Sequence, residues 1–230
     1  MENISIIPAR SGSKGLKDKN IKELNGKPLL AYSIIAAQNS GIFDEIMVST
    51  DSNRYAEIAK AYGASVPFLR SEEQSSDKAG SWDVVKEVLL GYLRNGRKFD
   101  TICLLQPTSP LRTDDDIRNG YALFEEKKAT AITAVCEMDH SPLWSMVLPA
   151  NGSLDEFRKH MTVVPRQQLN KYYRINGALY IQKIVYDCDS IELPAGNEYA
   201  FIMERNKSVD IDTAEDFELA EYYLKGRRGV

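Results

Sequence analysis

Cysteine and histidine are scarce in this chain, at three and two of 230 residues. Cys103, Cys136 and Cys188 are odd in number and widely spaced, which fits neither a disulfide framework nor a thiolate zinc site and points to a reducing cytoplasm. His140 and His160 are too few for a histidine-rich metal centre and read as ordinary side chains. No apolar run approaches the length of a bilayer span. Residues 1–3 lead straight into a short apolar run, without the basic segment, longer apolar stretch and cleavage site of a secretory signal. Excess positive charge is also missing: the net charge is −4 and the sequence pI about 5.4. That balance excludes the broad basic field expected of a nucleic-acid or anionic-membrane binder, so any anionic ligand must be held by local charge. There is no internal repeat and no low-complexity linker.

What the chain does have is a 43% hydrophobic content, enough for one main domain over residues 1–230. Short β-branched runs alternate with segments of helical period, the pattern of an α/β fold with a mainly parallel, doubly wound sheet. Strands are expected at 4–7, 45–50, 65–69, 101–105, 131–135, 178–184 and 199–203. Helices are expected at 29–37 with Pro28 in the first turn, from a cap at Asp51 or Ser52 through Tyr62, from a cap at Ser81 to about Asn95, from Thr113 through Lys127, and at 214–224. Residues 137–174 break the rhythm with Pro142, Pro149, Asn151-Gly152 and Pro165 around Leu143, Trp144, Met146, Val147 and Leu148. They read as an insertion serving as a lid or subunit contact, or packing back onto its own domain.

The first strand runs into Pro8-Ala9-Arg10-Ser11-Gly12-Ser13-Lys14-Gly15, with Lys19 and Asn20 close behind. Ligands of open α/β sheets bind beyond the carboxyl ends of the strands. Glycines let backbone amides approach an anion, and Arg10, Lys14 and Lys19 supply positive charge, so the loop is a phosphate loop by chemistry. It matches neither the Walker A spacing nor Gly-x-Gly-x-x-Gly, which lowers P-loop ATPases and dinucleotide dehydrogenases. Asp210 and Asp212 stand two residues apart, on one face of an extended segment, a donor pair suited to Mg²⁺ shared with substrate phosphates. Asp212-Thr213-Ala214-Glu215 equally matches a helix cap, and this alternative stays open on the spacing alone. The proline-bounded turn from Gln106 to Arg112 presents Gln106 toward a sugar hydroxyl, or is a helix-entry turn. Arg166 and Gln168, and the Arg174-Ile175-Asn176-Gly177 stretch, gather polar groups before a strand, and an arginine there suits a carboxylated sugar.

Ile-Pro-Ala-Arg-Ser-Gly-Ser-Lys-Gly with Lys19-Asn20, Val48-Ser49-Thr50-Asp51, Leu105-Gln-Pro-Thr-Ser-Pro-Leu-Arg112, Pro165-Arg-Gln-Gln168, Asn176-Gly-Ala-Leu-Tyr180 and Asp210-Ile-Asp-Thr213 together resemble the acylneuraminate cytidylyltransferases over nearly the whole chain. The resemblance implies a nucleotide-diphospho-sugar transferase fold, a cytoplasmic homodimer, Mg²⁺ as cofactor, and transfer of CMP from CTP to an acidic nine-carbon sugar. It implies that Arg10, Lys14 and Lys19 hold phosphates, with Ser13, Asn20, Arg70 and Ser81 completing the nucleotide site. Gln106, Arg166, Gln168, Asn176 and Tyr180 would bound the sugar, with Arg166 also counted among the catalytic groups. Asp210 and Asp212 would bind the metal, Asp210 also positioning or deprotonating the attacking hydroxyl. The chain departs from some bacterial family members at Trp144, where those carry a lysine for the sugar carboxylate; this leaves sialic, legionaminic and pseudaminic acids as acceptors. The rival readings are a cytidylyltransferase for the shorter eight-carbon ulosonic acid and a non-catalytic nucleotide- or sugar-binding module.

Overall fold

A computed structural model describes residues 1–12, 15–76, 79–160, 169–188 and 190–226. The chain begins with β1 (Asn3–Pro8), a short hairpin of β2 (Glu23–Leu24) and β3 (Lys27–Pro28), helix α1 (Leu29–Ser40), β4 (Glu45–Ser49) and α2 (Asn53–Ala61). A four-residue turn of helix, α3 (Glu72–Ser75), precedes α4 (Ser81–Arg94), β5 (Thr101–Leu104), α5 (Asp114–Lys127) and β6 (Ala131–Glu137). Then follow α6 (Asp155–His160), β7 (Tyr173–Lys183), a hairpin of β8 (Val185–Asp187) and β9 (Ser190–Glu192), β10 (Glu198–Met203) and α7 (Ala214–Gly226).

Six strands form one sheet in the order β10-β6-β7-β5-β1-β4. β1 pairs in parallel with β4 and β5, and β10 in parallel with β6, while β7 runs antiparallel between β5 and β6. Strand alternation sorts the core into two layers. Ile7 and Val48 join Leu30, Ile34, Tyr55, Ile117 and Phe124 on the face covered by α1, α2 and α5. Ile4, Ile6, Ile102 and Leu104 join Val85, Val88 and Leu89 of α4 on the other. α7 closes a third cluster, packing Ala220 against Leu24, Leu29, Leu111 and Ile211.

Several local expectations are corrected. Residues 65–69 are not a strand: Ser65 alone bridges Met47, and Pro67 offers no N–H to continue the ladder. Ser81 is the first residue of α4 rather than its cap; Asp83 reaches back to accept from the Gly80 N–H at 3.1 Å. Pro28 lies in β3 with extended ψ of 143°, just outside α1. Thr113 does cap α5, its hydroxyl and the Asp116 carboxylate satisfying each other's backbone N–H groups.

The sheet residues clustered with α4 come from β1, β4 and β5, with Tyr180 of β7 and Ile184 just after it. Where β6, β7 and β10 lie side by side, Val135 is opposite Ile175 and Ile202 in register. Ile175 and Ile202 are 60% and 61% exposed, and Tyr173 42%. The stretch between β6 and β7 exposes Leu143, Met146, Val147 and Leu148 as well.

Candidate active site

The carboxyl ends of β1, β4 and β5 open into a cleft of about 490 Å³ lined by Arg10, Lys19, Asn20, Arg70, Ser81 and Gln106, with Asp212 at its edge. Residues from opposite ends of the chain therefore converge as the parallel topology requires. Ser13, Lys14, Arg166 and Gln168, also expected at the site, lie outside the described residues.

The loop after β1 is tied down from three sides. The Ser11 N–H and hydroxyl both donate to Asp51, at 2.8 and 2.9 Å. Asn20, 6% exposed, donates from Nδ2 to the Arg10 carbonyl at 3.0 Å, closing the loop across its base. Tyr55 of α2 donates to Asp18 at 3.0 Å, holding a residue with the left-handed φ of 53°. Gly15 is needed for close approach: a Cβ there would stand 2.9 Å from the Asp212 carbonyl oxygen.

Arg10 and Arg70 bring two guanidinium groups to one wall. Arg70 is buried and fixed by Ser49, donating from Nε to Oγ at 3.0 Å and from Nη2 to the carbonyl at 2.6 Å. Burial pushes its pKa down to about 10, against the pull of Asp51 and Glu87, and the Arg10 charge adds to the depression. It stays protonated at neutral pH and gains by meeting an anion or a polar acceptor. Arg10 donates to the Ser75 carbonyl at 3.3 Å, which fastens α3 beside the cleft.

Opposite, Lys19 Nζ lies 2.7 Å from the Ile211 carbonyl and 3.0 Å from Asp212 Oδ1. Asp212 is not the helix cap. Thr213 and Asp216 form the reciprocal pair, Asp216 Oδ2 accepting from the Thr213 N–H at 2.9 Å and Thr213 Oγ1 from the Asp216 N–H at 3.2 Å. The Asp212 side chain, 76% exposed, is thereby left to Lys19 and the cleft. Asp210 is half-buried, and burial raises its pKa; a Thr108 hydrogen bond, Lys19 and Arg174 oppose this, while the Asp212 charge adds to it. Of the two carboxylates Asp212 lines the cleft and Asp210 does not, though the two are close enough for the Asp212 charge to act on Asp210; carboxylate oxygens are the hard donors that could hold a divalent cation. Among the described residues no group of three or more acidic, histidine or cysteine side chains forms a self-sufficient metal cage.

Gln106 lines the cleft, its amide oxygen resting where a Cβ of Gly177 would otherwise stand, at 2.4 Å. Asn176 is placed behind this wall rather than in it: 1% exposed, it donates to Ser208 Oγ at 2.9 Å and accepts from the Ala178 N–H at 3.1 Å. Tyr180 stands near Asp210, whose charge joins burial in raising its pKa, and meets Trp82 edge-on at 6.2 Å. Sequence reasoning missed Gln74, Ser76 and Ala79, which line the cleft from the segment after Arg70. Only their closeness in sequence to Arg70 signals them; nothing in their own pattern does.

The cytidylyltransferase family model matches residues 4–228. Among curated proteins, the pseudaminic acid cytidylyltransferase of Campylobacter jejuni is 35% identical over 227 residues, covering 98% of this chain and 97% of that protein. The CMP-N,N'-diacetyllegionaminic acid synthase of Legionella pneumophila is 34% identical over 228 residues, covering 98% and 97%. The N-acylneuraminate cytidylyltransferase of Escherichia coli is 37% identical over 218 residues, covering 94% of this chain and 51% of that longer protein. A solved CMP:2-keto-3-deoxy-manno-octonic acid synthetase complexed with CTP aligns with a TM-score of 0.70 over 99% of this chain and 100% of its own, at 15% identity, a likeness of fold alone.

Proposed function

This chain belongs to the cytidylyltransferase family, and from that premise we propose that its cleft transfers CMP from CTP to the anomeric hydroxyl of a nine-carbon nonulosonic acid, releasing pyrophosphate. It is a nucleotidyltransferase of the acylneuraminate cytidylyltransferase type. The observation that carries the reading is the convergence of Arg10, Lys19 and Arg70 with Asp212 on one cleft at the carboxyl ends of the strands.

Arg10 and Lys19, with Ser13 and Lys14, hold the triphosphate, while Asn20, Arg70 and Ser81 face the cytidine. Gln106, Arg166, Gln168 and Tyr180 bound the acceptor, and Asn176 supports that wall from behind. Asp210 and Asp212 would hold Mg²⁺, which would supply neutralisation of the phosphate charge and Lewis-acid polarisation of the reacting phosphorus. The anomeric oxygen attacks the α-phosphorus in line, Asp210 takes the hydroxyl proton, and the bond to the β-phosphate oxygen breaks. Burial raises the pKa of Asp210, which suits its carboxylate to accept that proton. Lys19 screens the charge that accumulates on the departing pyrophosphate.

Two observations support a homodimer: the exposed Ile175 and Ile202 flanking Val135 in register, and the exposed Leu143, Met146, Val147 and Leu148 between β6 and β7. We assign residues 137–174 as the dimerisation or lid segment, and a cytoplasmic location accords with three free cysteines. Among the described residues no helix is long and apolar enough to cross a membrane.

The presence of Asp210 and Asp212 together with Lys14 and Lys19 favours turnover over a binding module. The nine-carbon substrates named for the relatives at 34–37% identity favour such an acceptor over the eight-carbon one, whose synthetase shares only the fold. The test is pyrophosphate release from CTP with and without Mg²⁺, with sialic, legionaminic, pseudaminic and the eight-carbon acid offered separately and the product identified by mass. Release with one nine-carbon acid bears the proposal out and names the substrate. Release with the eight-carbon acid alone, or with none while CTP still binds, overturns it.

A further inference from the structure

Arg112 is the most deeply buried charged residue behind the cleft, 3% exposed, at the end of the turn that carries Gln106. It has no carboxylate within salt-bridge reach among the described residues. Its Nη1 donates to the Ala178 carbonyl and its Nη2 to Ser33 Oγ, each at 2.6 Å, while Nε–H meets no acceptor among the described residues. Burial pushes its pKa down to about 10, so the guanidinium remains charged at neutral pH inside the core. A buried cation satisfied only by neutral oxygens is costly, and fold stability alone is a weak reason to keep one where a hydrophobic residue of similar size would pack.

What the two bonds hold is specific. Ser33 accepts from Arg112 and donates its own hydroxyl proton to the Gln106 carbonyl at 3.4 Å, so the guanidinium reaches the Gln106 backbone through one hydroxyl on α1. The Ala178 carbonyl belongs to the residue directly after Gly177, and Gly177, at φ of 75°, leaves the space that the Gln106 amide oxygen fills. Ser109, buried in the same turn, bridges the two ends: its N–H donates to the Gln106 carbonyl at 3.2 Å and its hydroxyl to the Asn176 carbonyl at 3.4 Å. One side chain therefore fixes both the backbone from which Gln106 springs and the strand against which its amide rests.

We propose that Arg112 is a positioning residue for acceptor recognition: by clamping Ser33 of α1 and Ala178 of β7 it sets where Gln106 presents its amide to the sugar. The proposal rests on the reading of Gln106 as an acceptor contact. Arg112 touches no substrate. It acts on the sugar side of the cleft, because the nucleotide wall of Arg10, Asn20 and Arg70 is anchored independently, through Ser75, the Arg10 carbonyl and Ser49. A lysine at this position reaches one of the two oxygens and releases the other.

The experiment is a double-mutant cycle on steady-state kinetics with Arg112→Lys, Gln106→Ala and the pair, using CTP and the accepted nonulosonic acid, with urea unfolding as the control for folding. Arg112→Lys is expected to raise the acceptor KM by roughly tenfold or more while the CTP KM stays within about twofold, on the scale of a misplaced substrate contact. In the Gln106→Ala background it should add little further, because the group it positions is gone. Should Arg112→Lys fail to fold, Ser33→Ala cuts only the arm to the Gln106 carbonyl and is read in the same cycle. Equal rises in both KM values, or effects that add across the cycle while Gln106→Ala remains acceptor-selective, overturn the role of Arg112 alone. A Gln106→Ala enzyme with an unchanged acceptor requirement overturns the Gln106 reading and takes this proposal with it.

Discussion

Lys19 and Asp212, 193 positions apart, meet at 3.0 Å between Nζ and Oδ1, and the same ammonium holds the Ile211 carbonyl at 2.7 Å. The contact joins the loop after β1 to the segment that carries Asp210 and Asp212, so on the proposed reading the cation facing the leaving group would also steady a metal ligand. Lys19→Met removes both actions. We expect kcat to fall by about 10²-fold or more, the scale for losing one preorganised charge at a reacting centre. Stability should change by no more than about 1 kcal/mol, because the partner carboxylate is 76% exposed and solvent screens the pair. Pyrophosphate-release kinetics beside urea unfolding checks this. A large loss of stability with kcat retained would make the lysine a structural tie only.

Asp212 and Thr213 are neighbours with separable duties. Thr213 and Asp216 cap α7, and Asp212 faces the cleft. Thr213→Ala should cost about 1 kcal/mol in denaturant unfolding and leave Mg²⁺-dependent turnover near wild type. Asp212→Ala should do the reverse, abolishing turnover with little change in the unfolding midpoint. Exchange of those two phenotypes would return Asp212 to a capping role.

The parallel half of the fold was legible because its strands are short buried apolar runs separated by segments of helical period. Thr101–Leu104 leads into α5, whose start Thr113 and Asp116 mark, whereas α1 after Pro28 has no side-chain cap and is buried along most of its length. The direction of β7 was not legible, since a buried run such as Ala178–Ile181 reads the same in either sense and only its neighbours β5 and β6 decide. The hairpin of β8 and β9 was too short to stand out, at three residues each. In the site, the glycines and charges after β1 pointed to a loop that does line the cleft, but the partners that hold it, Asp51 and Tyr55, are unremarkable in sequence and matter only through where β4 and α2 place them. That Thr213 rather than Asp212 caps α7 needed hydrogen-bond geometry, because the same four letters allow either residue to be the cap.

Gly177 combines a left-handed φ of 75° with a neighbour 2.4 Å from any added Cβ, and that neighbour is the flexible tip of Gln106. Gly177→Ala therefore strains its own backbone by about 1–3 kcal/mol and displaces the Gln106 amide. We expect a lowered unfolding midpoint together with a raised acceptor KM and a CTP KM close to wild type. Unchanged acceptor kinetics in a folded Gly177→Ala enzyme would separate the Gln106 side chain from the sugar.

Ile202 tests the proposed dimer from the least disruptive side. It lies on edge strand β10, in register with Val135, and is 61% exposed. Aspartate at an exposed edge position changes the stability of a lone protomer by no more than about 0.5 kcal/mol, the ordinary scale for a surface substitution. The same carboxylate buried in an apolar interface would be desolvated without a partner, at a cost of several kcal/mol. Ile202→Asp is therefore expected to shift the mass measured by light scattering or sedimentation from two protomers to one, with far-ultraviolet circular dichroism unchanged. Ile175→Asp, across β6 on the same face, should act alike. Variants that keep the dimer mass would place the interface elsewhere, and a wild-type protein that sediments as a single protomer would remove the dimer itself.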